Sequence, residues 1–424
     1  MTRTIGPANT RRSFLTGLAA SSGLLLAPRF AHAVQPPSYF LFEVENPLNL
    51  DRPSEILDLS LDELRLHTRV APHSLVVLDQ ATGNRLPHQF YATSSTGATE
   101  PDRLLILVDL PARSRITLSL HADPAAPPLT PSVTARLVPE RMDDFAWEND
   151  KVAFRAYGPA LQATGEVSSG IDVWSKRVPD FVTRTWYERD RLAANDPTQS
   201  YHRDNGQGLD SYDVGRSLGC GGTAVWTNNT LLPSKNFASA RILANGPIRA
   251  DFILTYAPWT TPHLTLSENK RITLDAGSHL NRVRSTFYLS GAPSATIAAG
   301  VAMHSGSDHR LDPERSTIAV WDTPQLASAG HIATAVLCTG ITPHPAGQST
   351  VQGGKPLNAF LCFDVKSGDT IEYASGAAWS QADIPTFADW LNYLRRYRER
   401  ALNPLAPTTP IARLTRPTTR TRRA

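Results

Sequence analysis

Residues 201–226 read YHRDNGQGLDSYDVGRSLGCGGTAVW, and within them Tyr201, His202, Asp204, Asp210, Tyr212 and Arg216 can move protons or hold anions. A histidine exchanges its proton near neutral pH. A tyrosine hydroxyl can protonate a departing oxygen, and a guanidinium grips a carboxylate with two parallel hydrogen bonds. Six glycines stand among these residues, and glycine permits positive φ and close approach of backbone to a ligand. Just upstream, SSGIDVWSKRVPDFVTRTWYERD adds Trp174, Lys176, Arg177, Trp186 and Tyr187. Flat rings beside dense hydrogen-bonding groups suit a sugar, whose C–H faces stack and whose hydroxyls need partners. An added Arg or Lys suits a sugar carboxylate. The mixture of residue types suits a carbohydrate ligand and includes groups able to transfer protons.

Taken singly, the same residues have plainer readings. Tyr201 and Tyr212 are ordinary half-buried aromatics in many proteins, and a lone histidine is more often structural than catalytic. His202, Asp204 and Asp210, with His304 or His309 from AMHSGSDHR, have the chemistry of metal ligands but no metal-spacing motif. No cofactor is expected, and a bound metal stays open. Cys220 between glycines reads as a small packed residue, and no GxSxG elbow occurs.

These residues need a scaffold, and the chain around them is written for strands. HLTLSENKRITLDAGSHLNRVRSTFYL reads as a hairpin turning at Asp275 to Ser278. Strand side chains alternate faces, so Leu264, Leu266, Glu268, Lys270, Ile272 and Leu274 share one. Pairing Leu274 with His279 adds Asn281, Val283, Ser285, Phe287 and Leu289. Burying an unpaired charge is expensive. Either Glu268 and Lys270 pair, or this face opens as the floor of a polar groove with Asn281.

Residues 34–122 hold short runs such as YFLFEVEN, SLVVLD, LLILVDL and ITLSLHA, which suggest a small antiparallel sandwich. A Pro/Ala-rich linker is expected over 123–139. Residues 140–402 hold a larger strand-rich domain, with no βαβ rhythm and no phosphate loop. PTFADWLNYLRRYRERAL sets Phe387, Trp390, Leu391, Leu394 and Tyr397 on one stripe, a helix to dock on a sheet.

The ends carry the positive charge. Arg11–Arg12, Phe14–Leu15, an apolar run and Ala31-His32-Ala33 form a twin-arginine export signal over residues 1–33. The expected location is therefore periplasmic or extracellular, with no membrane anchor retained after processing. Residues 403–424 are expected to be a disordered basic tail. The net charge is +3; without the four arginines of the leader and the five of residues 413–424, residues 34–412 stand at −6. A nucleic-acid partner is thus disfavoured. Three cysteines allow one disulfide at most, with Cys338 and Cys362 either sheet neighbours or small buried groups. Lysines number six against 36 arginines, and Lys176, Lys235 and Lys270 fall in or near the region of interest. The oligomeric state is not legible.

Five stretches carry a resemblance: AWENDKVAFRAYGPAL, SGIDVWSKRV, YHRDNGQGLDSYDVGRSLGCGGTAVW, NGPIRADFILTYAPW and ENKRITLDAGSHLNR. Over roughly residues 140–400 the chain resembles a family of secreted bacterial proteins catalogued as a domain of unknown function. That family occurs among genes for degrading pectin, ulvan and other uronate polymers. It is similar to the galactose-mutarotase-like proteins, which include epimerases and polysaccharide lyases. The resemblance implies a mainly β fold, a galactose-mutarotase-like supersandwich behind the small sandwich, with the C-terminal helix. It also implies an oligosaccharide substrate and β-elimination by a dehydratase or lyase.

For that reaction, C5–H of a uronate is acidic only once its carboxylate is neutralised. Arg216 and Lys176 are the expected clamp, His202 the base, and Tyr201 or Tyr212 the acid. Trp174 and Trp186 would stack on the ring. Asp204, Asp210, Glu268, Lys270, Asn281 and His304 would line the groove. A mutarotase or epimerase, a glycoside hydrolase and a non-catalytic carbohydrate-binding protein are the rival readings.

Overall fold

The hairpin forms as its alternation requires, from the strands Thr265–Asp275 and Leu280–Ser290. Ile272 lies opposite Val283, so the register sits two residues from the expected pairing of Leu274 with His279. An even slip keeps every side chain on its face, and the predicted set of inward residues stands unchanged. The hairpin belongs to an eight-stranded antiparallel sheet, in the order 239–245, 249–260, 265–275, 280–290, 370–379, 332–337, 317–322 and 308–312.

This computed structural model describes residues 38–64, 74–94, 100–324, 326–340, 345–351, 355–408 and 412–415. The expected leader lies outside them. Among the described residues the fold is mainly β, with several antiparallel sheets and a C-terminal helix. No described helix is long and apolar enough to cross a membrane.

The inward face of the eight-stranded sheet carries Phe252, Leu254, Ile272, Leu274, Val283, Phe287, Val320 and Val336. Two five-stranded sheets contribute to the core against it. One runs 230–233, 220–227, 295–303, 355–365 and 346–351, and the other 208–209, 171–176, 153–156, 144–149 and 133–138. The second presents Phe145, Trp147 and Phe154 to that core, with Phe145 and Phe252 ring centroids 4.5 Å apart. At about 25 cal/mol per Å² of buried apolar surface, these rings are major contributors to the core. Part of the large sheet's outer face is covered by the helix Phe387–Leu402, through Trp390 and Leu394 against Leu280, Ala319, Ala333 and Ala374. Thr386 caps that helix by accepting the Asp389 N–H, so Pro385 lies just before the cap.

The six strands within residues 38–122, joined by 412–415, form a four-stranded and a three-stranded sheet around Phe42, Leu57, Leu59, Leu104, Ile106 and Leu118. Two sequence expectations need correction here. Val133–Val138 is not linker; it is an edge strand paired with Asp144–Asn149. Residues 412–415 are not loose tail; they return as a strand beside 38–41, and Leu405 is buried in the small core. For 412–415 the pairing partner lies more than 370 residues away in the chain, so local composition could not reveal it; Val133–Val138 pairs with the very next strand. Cys220, Cys338 and Cys362 are all free thiols.

The glycines of residues 206–222 mostly serve packing rather than ligand access, which corrects the sequence reading. Gly208 has φ of +134°, and a Cβ there would lie 2.0 Å from the Ser175 carbonyl oxygen. Gly219, at φ +59°, would set a Cβ 2.2 Å from the Ile171 carbonyl oxygen. Both let the loop press against the strand Ile171–Lys176. Gly208→Ala is expected to cost about 1–3 kcal/mol from overpacking and the forced φ. Urea unfolding would measure it; an unchanged midpoint would refute the tight seat.

Candidate active site

The strand Ile171–Lys176 alternates sharply. Ile171 and Val173 turn into the core, and Asp172, Trp174 and Lys176 turn to the opposite face. The neighbouring strands place Arg155, Asp144, Ala146 and Glu148 on that outer face, since Asp172 pairs with Arg155 and Arg155 with Ala146. The face is thus half ionic, yet it is buried. The helix Thr183–Asp190 and the turn after it cover it with Trp186, Tyr187 and Tyr201, packed on Trp174. Trp174 stacks at 5.4 Å on Trp186 and 4.9 Å on Tyr201.

The covered face has two ionic ends. At one, Lys176 Nζ donates to Glu148 at 3.1 Å and to the carbonyls of Asn149 and Asp180. Glu148 in turn accepts from the backbone N–H groups of Val182 and Thr183 and from the Thr183 hydroxyl. A carboxylate remote in sequence therefore caps the start of this helix, where free N–H groups and the helix dipole favour negative charge.

At the other end Arg155 is surrounded. Its Nε lies 3.5 Å from Asp144 and 3.4 Å from Asp172. Its NH1 donates to the Tyr201 hydroxyl at 3.4 Å, and its guanidinium lies 4.7 Å from the centre of the Tyr157 ring. Arg141 is also near Tyr201, whose interaction with it raises the guanidinium pKa against the effect of burial. Burial raises the pKa of Asp172 and Asp210, and the nearby Asp210 charge raises Asp172 further against the pull of Arg155. Burial likewise lifts Asp144 to about 6, with Arg155 opposing. Three carboxyls thus hold protons beyond the usual range, a pattern that concentrates at functional sites.

His202 stands over this cluster with 62% of its side chain exposed. Its Nδ1 is 3.0 Å from the Asp210 carbonyl oxygen. A carbonyl only accepts, so Nδ1 carries a proton, and in that tautomer of the neutral imidazole Nε2 has the lone pair. The turn before the strand Asp144–Asn149 borders the same cluster, and Met142 and Asp143 both hold positive φ, 54° and 61°. Left-handed backbone is uncommon for a residue such as methionine, less so for aspartate, and collects at functional sites.

The carboxyl shifts make a pH prediction. Asp144 in the fold titrates above an unfolded aspartate, near 4. Between roughly pH 4 and 6 the folded chain keeps a proton that the unfolded chain has lost, so this group's contribution to stability falls as pH rises. Thermal scans across that window should show a shallower decline for Asp144→Asn than for the parent. Equal declines would refute the shifted proton.

Of the residues expected from sequence, Tyr201, His202, Asp210 and Trp174 come together here. Trp174 and Trp186 are buried, so they are core and not a stacking platform. Lys176 is buried and saturated, which removes it as a substrate clamp. Asp204 pairs with Arg177 at 2.6 Å and accepts from Gly206 and Gly208, shaping the loop. Glu268 and Lys270 are a buried pair at 3.4 Å shared with the Thr223 hydroxyl, not a groove floor. Asn281 is buried, accepting from the Trp147 indole. Tyr212 donates to the Gly219 carbonyl and packs edge-on against His304. His304 is held between Asp322 and the Asp213 carbonyl. Burial alone would lower its pKa, and the Asp322 carboxylate outweighs that and raises it. Arg216 is exposed on the turn between Asp213 and Ser217, and no hydrogen bond or ion pair joins it to His202 among the described residues. No described group of three or more His, Cys, Asp or Glu is placed to hold a metal.

Sequence reasoning missed Asp144, Arg155, Asp172, Glu148 and Arg141. The signal was present in DFAWEN and IDVWSK, where charges alternate with apolar residues as they do in the hairpin.

Relatives add context. The chain is 32% identical over 385 residues to a protein of Formosa agariphila described as "Uncharacterized protein P7", covering 88% of this chain and 94% of that one. Among solved structures it is similar to an alpha-mannosidase from Enterococcus faecalis V583, at 9% identity and a TM-score of 0.41. A glycosyl hydrolase family 38 protein from Enterococcus faecalis follows at 9% identity and 0.40. In each case 88% of this chain is covered, and the chain spans about half the length of those proteins, 46% and 48%. Matched over residues 44–406, the chain belongs to the family described as "Domain of unknown function (DUF4861)".

Proposed function

We propose that the protein is an exported carbohydrate-active enzyme that acts on uronic-acid oligosaccharides by β-elimination. The observation that carries this is His202: an exposed imidazole whose Nδ1–H is tied to the Asp210 carbonyl, leaving Nε2 as a base. Nε2 takes the C5 proton, the C–H electrons form the C4=C5 double bond, and the C4–O bond breaks. Tyr212 is committed to Gly219 and Tyr201 is buried on Trp174, so neither phenol serves as the acid. The His202 imidazolium returns its proton to the departing oxygen, as one residue can when both events lie on one face of the sugar. Half-buried Arg141, beside Tyr201, replaces Lys176 and Arg216 as the partner for the sugar carboxylate. The test is incubation with uronate oligosaccharides, followed in the near ultraviolet where the unsaturated product absorbs. Binding with neither product nor altered sugar would sink the elimination and leave a carbohydrate-binding protein.

A further inference from the structure

The outer face of the eight-stranded sheet carries a cavity of about 320 Å³ that the helix Phe387–Leu402 does not line. Its volume falls at the lower end of the roughly 300–1,000 Å³ found for small-ligand sites. Arg241, Asn269, Arg271, Arg284, Thr286 and Tyr288 are among its walls. The register is unusual for a purely structural sheet. Arg271 sits directly opposite Arg284 on the neighbouring strand, and like charges directly opposed cost stability. Arg271 is neutralised by Asp251 at 2.6 Å. Among the described residues Arg284 pairs with Glu372, at 2.9 Å, with both side chains more than half exposed. Exposed pairs of that kind contribute little and exchange readily for another anion.

The remaining groups are those a sugar uses. The Thr255 hydroxyl donates to the Asn269 carbonyl oxygen at 3.0 Å. The Asn269 amide nitrogen has no hydrogen bond among the described residues. Thr286 and Thr370 add hydroxyls at 2.7 Å from each other. Tyr288 is 50% exposed on the same face, a ring with a bare surface. Cation, amide, hydroxyls and ring converge in one concavity on a rigid sheet.

We infer that this cavity is a second carbohydrate site that takes an anionic sugar unit, its carboxylate or sulfate on Arg284 and its C–H face on Tyr288. It is separate from the His202 site and stands on its own residues, whatever reaction that site performs. The test is calorimetric titration of the full chain carrying His202→Ala, so that turnover does not consume the probe. Trigalacturonate, a sulfated carrageenan trisaccharide and neutral maltotriose are the probes. At least one anionic probe should bind, more weakly as salt rises, and either one identifies the anion held. Adding Arg284→Gln or Tyr288→Ala should weaken that binding about tenfold, the loss expected for a charged hydrogen bond or a stacked ring. The inference is overturned if neither anionic probe binds, if both added variants bind like the parent, or if maltotriose binds equally well. Arg284-dependent binding with no ultraviolet product from the unmutated chain would support this site and refute the proposed reaction alone.

Discussion

His202→Ala is expected to lower turnover of a uronate oligosaccharide by about 10²–10⁴-fold, the usual range for a positioned acid–base group. The unfolding free energy should stay within about 0.5 kcal/mol of the parent, because substitutions on an exposed side chain remove little packing. The separation of the two readouts is the point. His202 lies against the Asp210 carbonyl and the Tyr201 ring, 4.5 Å between centroids, and both neighbours have other anchors: the Asp210 N–H donates to the Tyr201 carbonyl, and Tyr201 stacks on Trp174. A variant with full activity would refute its role as base. A variant that lost activity and stability together would make it a structural post. Asp210→Asn offers a finer check: the carbonyl that orients Nδ1 survives it. Activity should therefore fall less than in His202→Ala, and a loss equal to that variant's would place the carboxyl itself in the chemistry.

Glu148→Ala should be the more damaging change to the fold, at about 3–5 kcal/mol, the cost of breaking a buried pair from one side. Two losses coincide. Lys176 would keep a buried charge with only carbonyl oxygens around it, and burial already lowers its pKa against the attraction of Glu148. The helix Thr183–Asp190 would lose the acceptor for two backbone N–H groups and the Thr183 hydroxyl. That helix carries Trp186 and Tyr187 onto Trp174, and Tyr201 follows it in the chain, so the cover of the candidate site should loosen. Urea unfolding would give the stability loss, and near-ultraviolet circular dichroism the aromatic packing. Pairing Glu148→Gln with Lys176→Met should cost less than the sum of the two single changes, because no charge is then left alone. Additive costs would show that the pair is not coupled.

How much of this was legible beforehand depends on the range of each interaction. The hairpin face was readable from a period of two, including the choice it posed between a pair and a groove. The tertiary structure answered it: Thr223, from another sheet, reaches both Glu268 and Lys270 and closes the space above them. The helical stripe at Phe387–Tyr397 was readable from a period near 3.6, although the sheet it covers was not. Lys176 shows the opposite case. Its type and neighbours suggested an anion clamp, and only the return of Glu148 from another strand shows it to be a buried ion.

The loop that first drew notice divides in the same way. Sequence alone determined that residues 201–226 hold protonatable groups among glycines, that strands dominate, and that the body of the chain is acidic with basic ends. Those properties follow from residue type and local alternation. Only the tertiary structure decided that Gly208 and Gly219 exist to press the loop on a strand, that Tyr212 and His304 form one group, and that His202 and Asp210 belong with Arg155, Asp144 and Asp172. Strand pairing sets which charged faces meet, and burial then decides whether a carboxyl keeps its proton. Neither quantity is local in the chain.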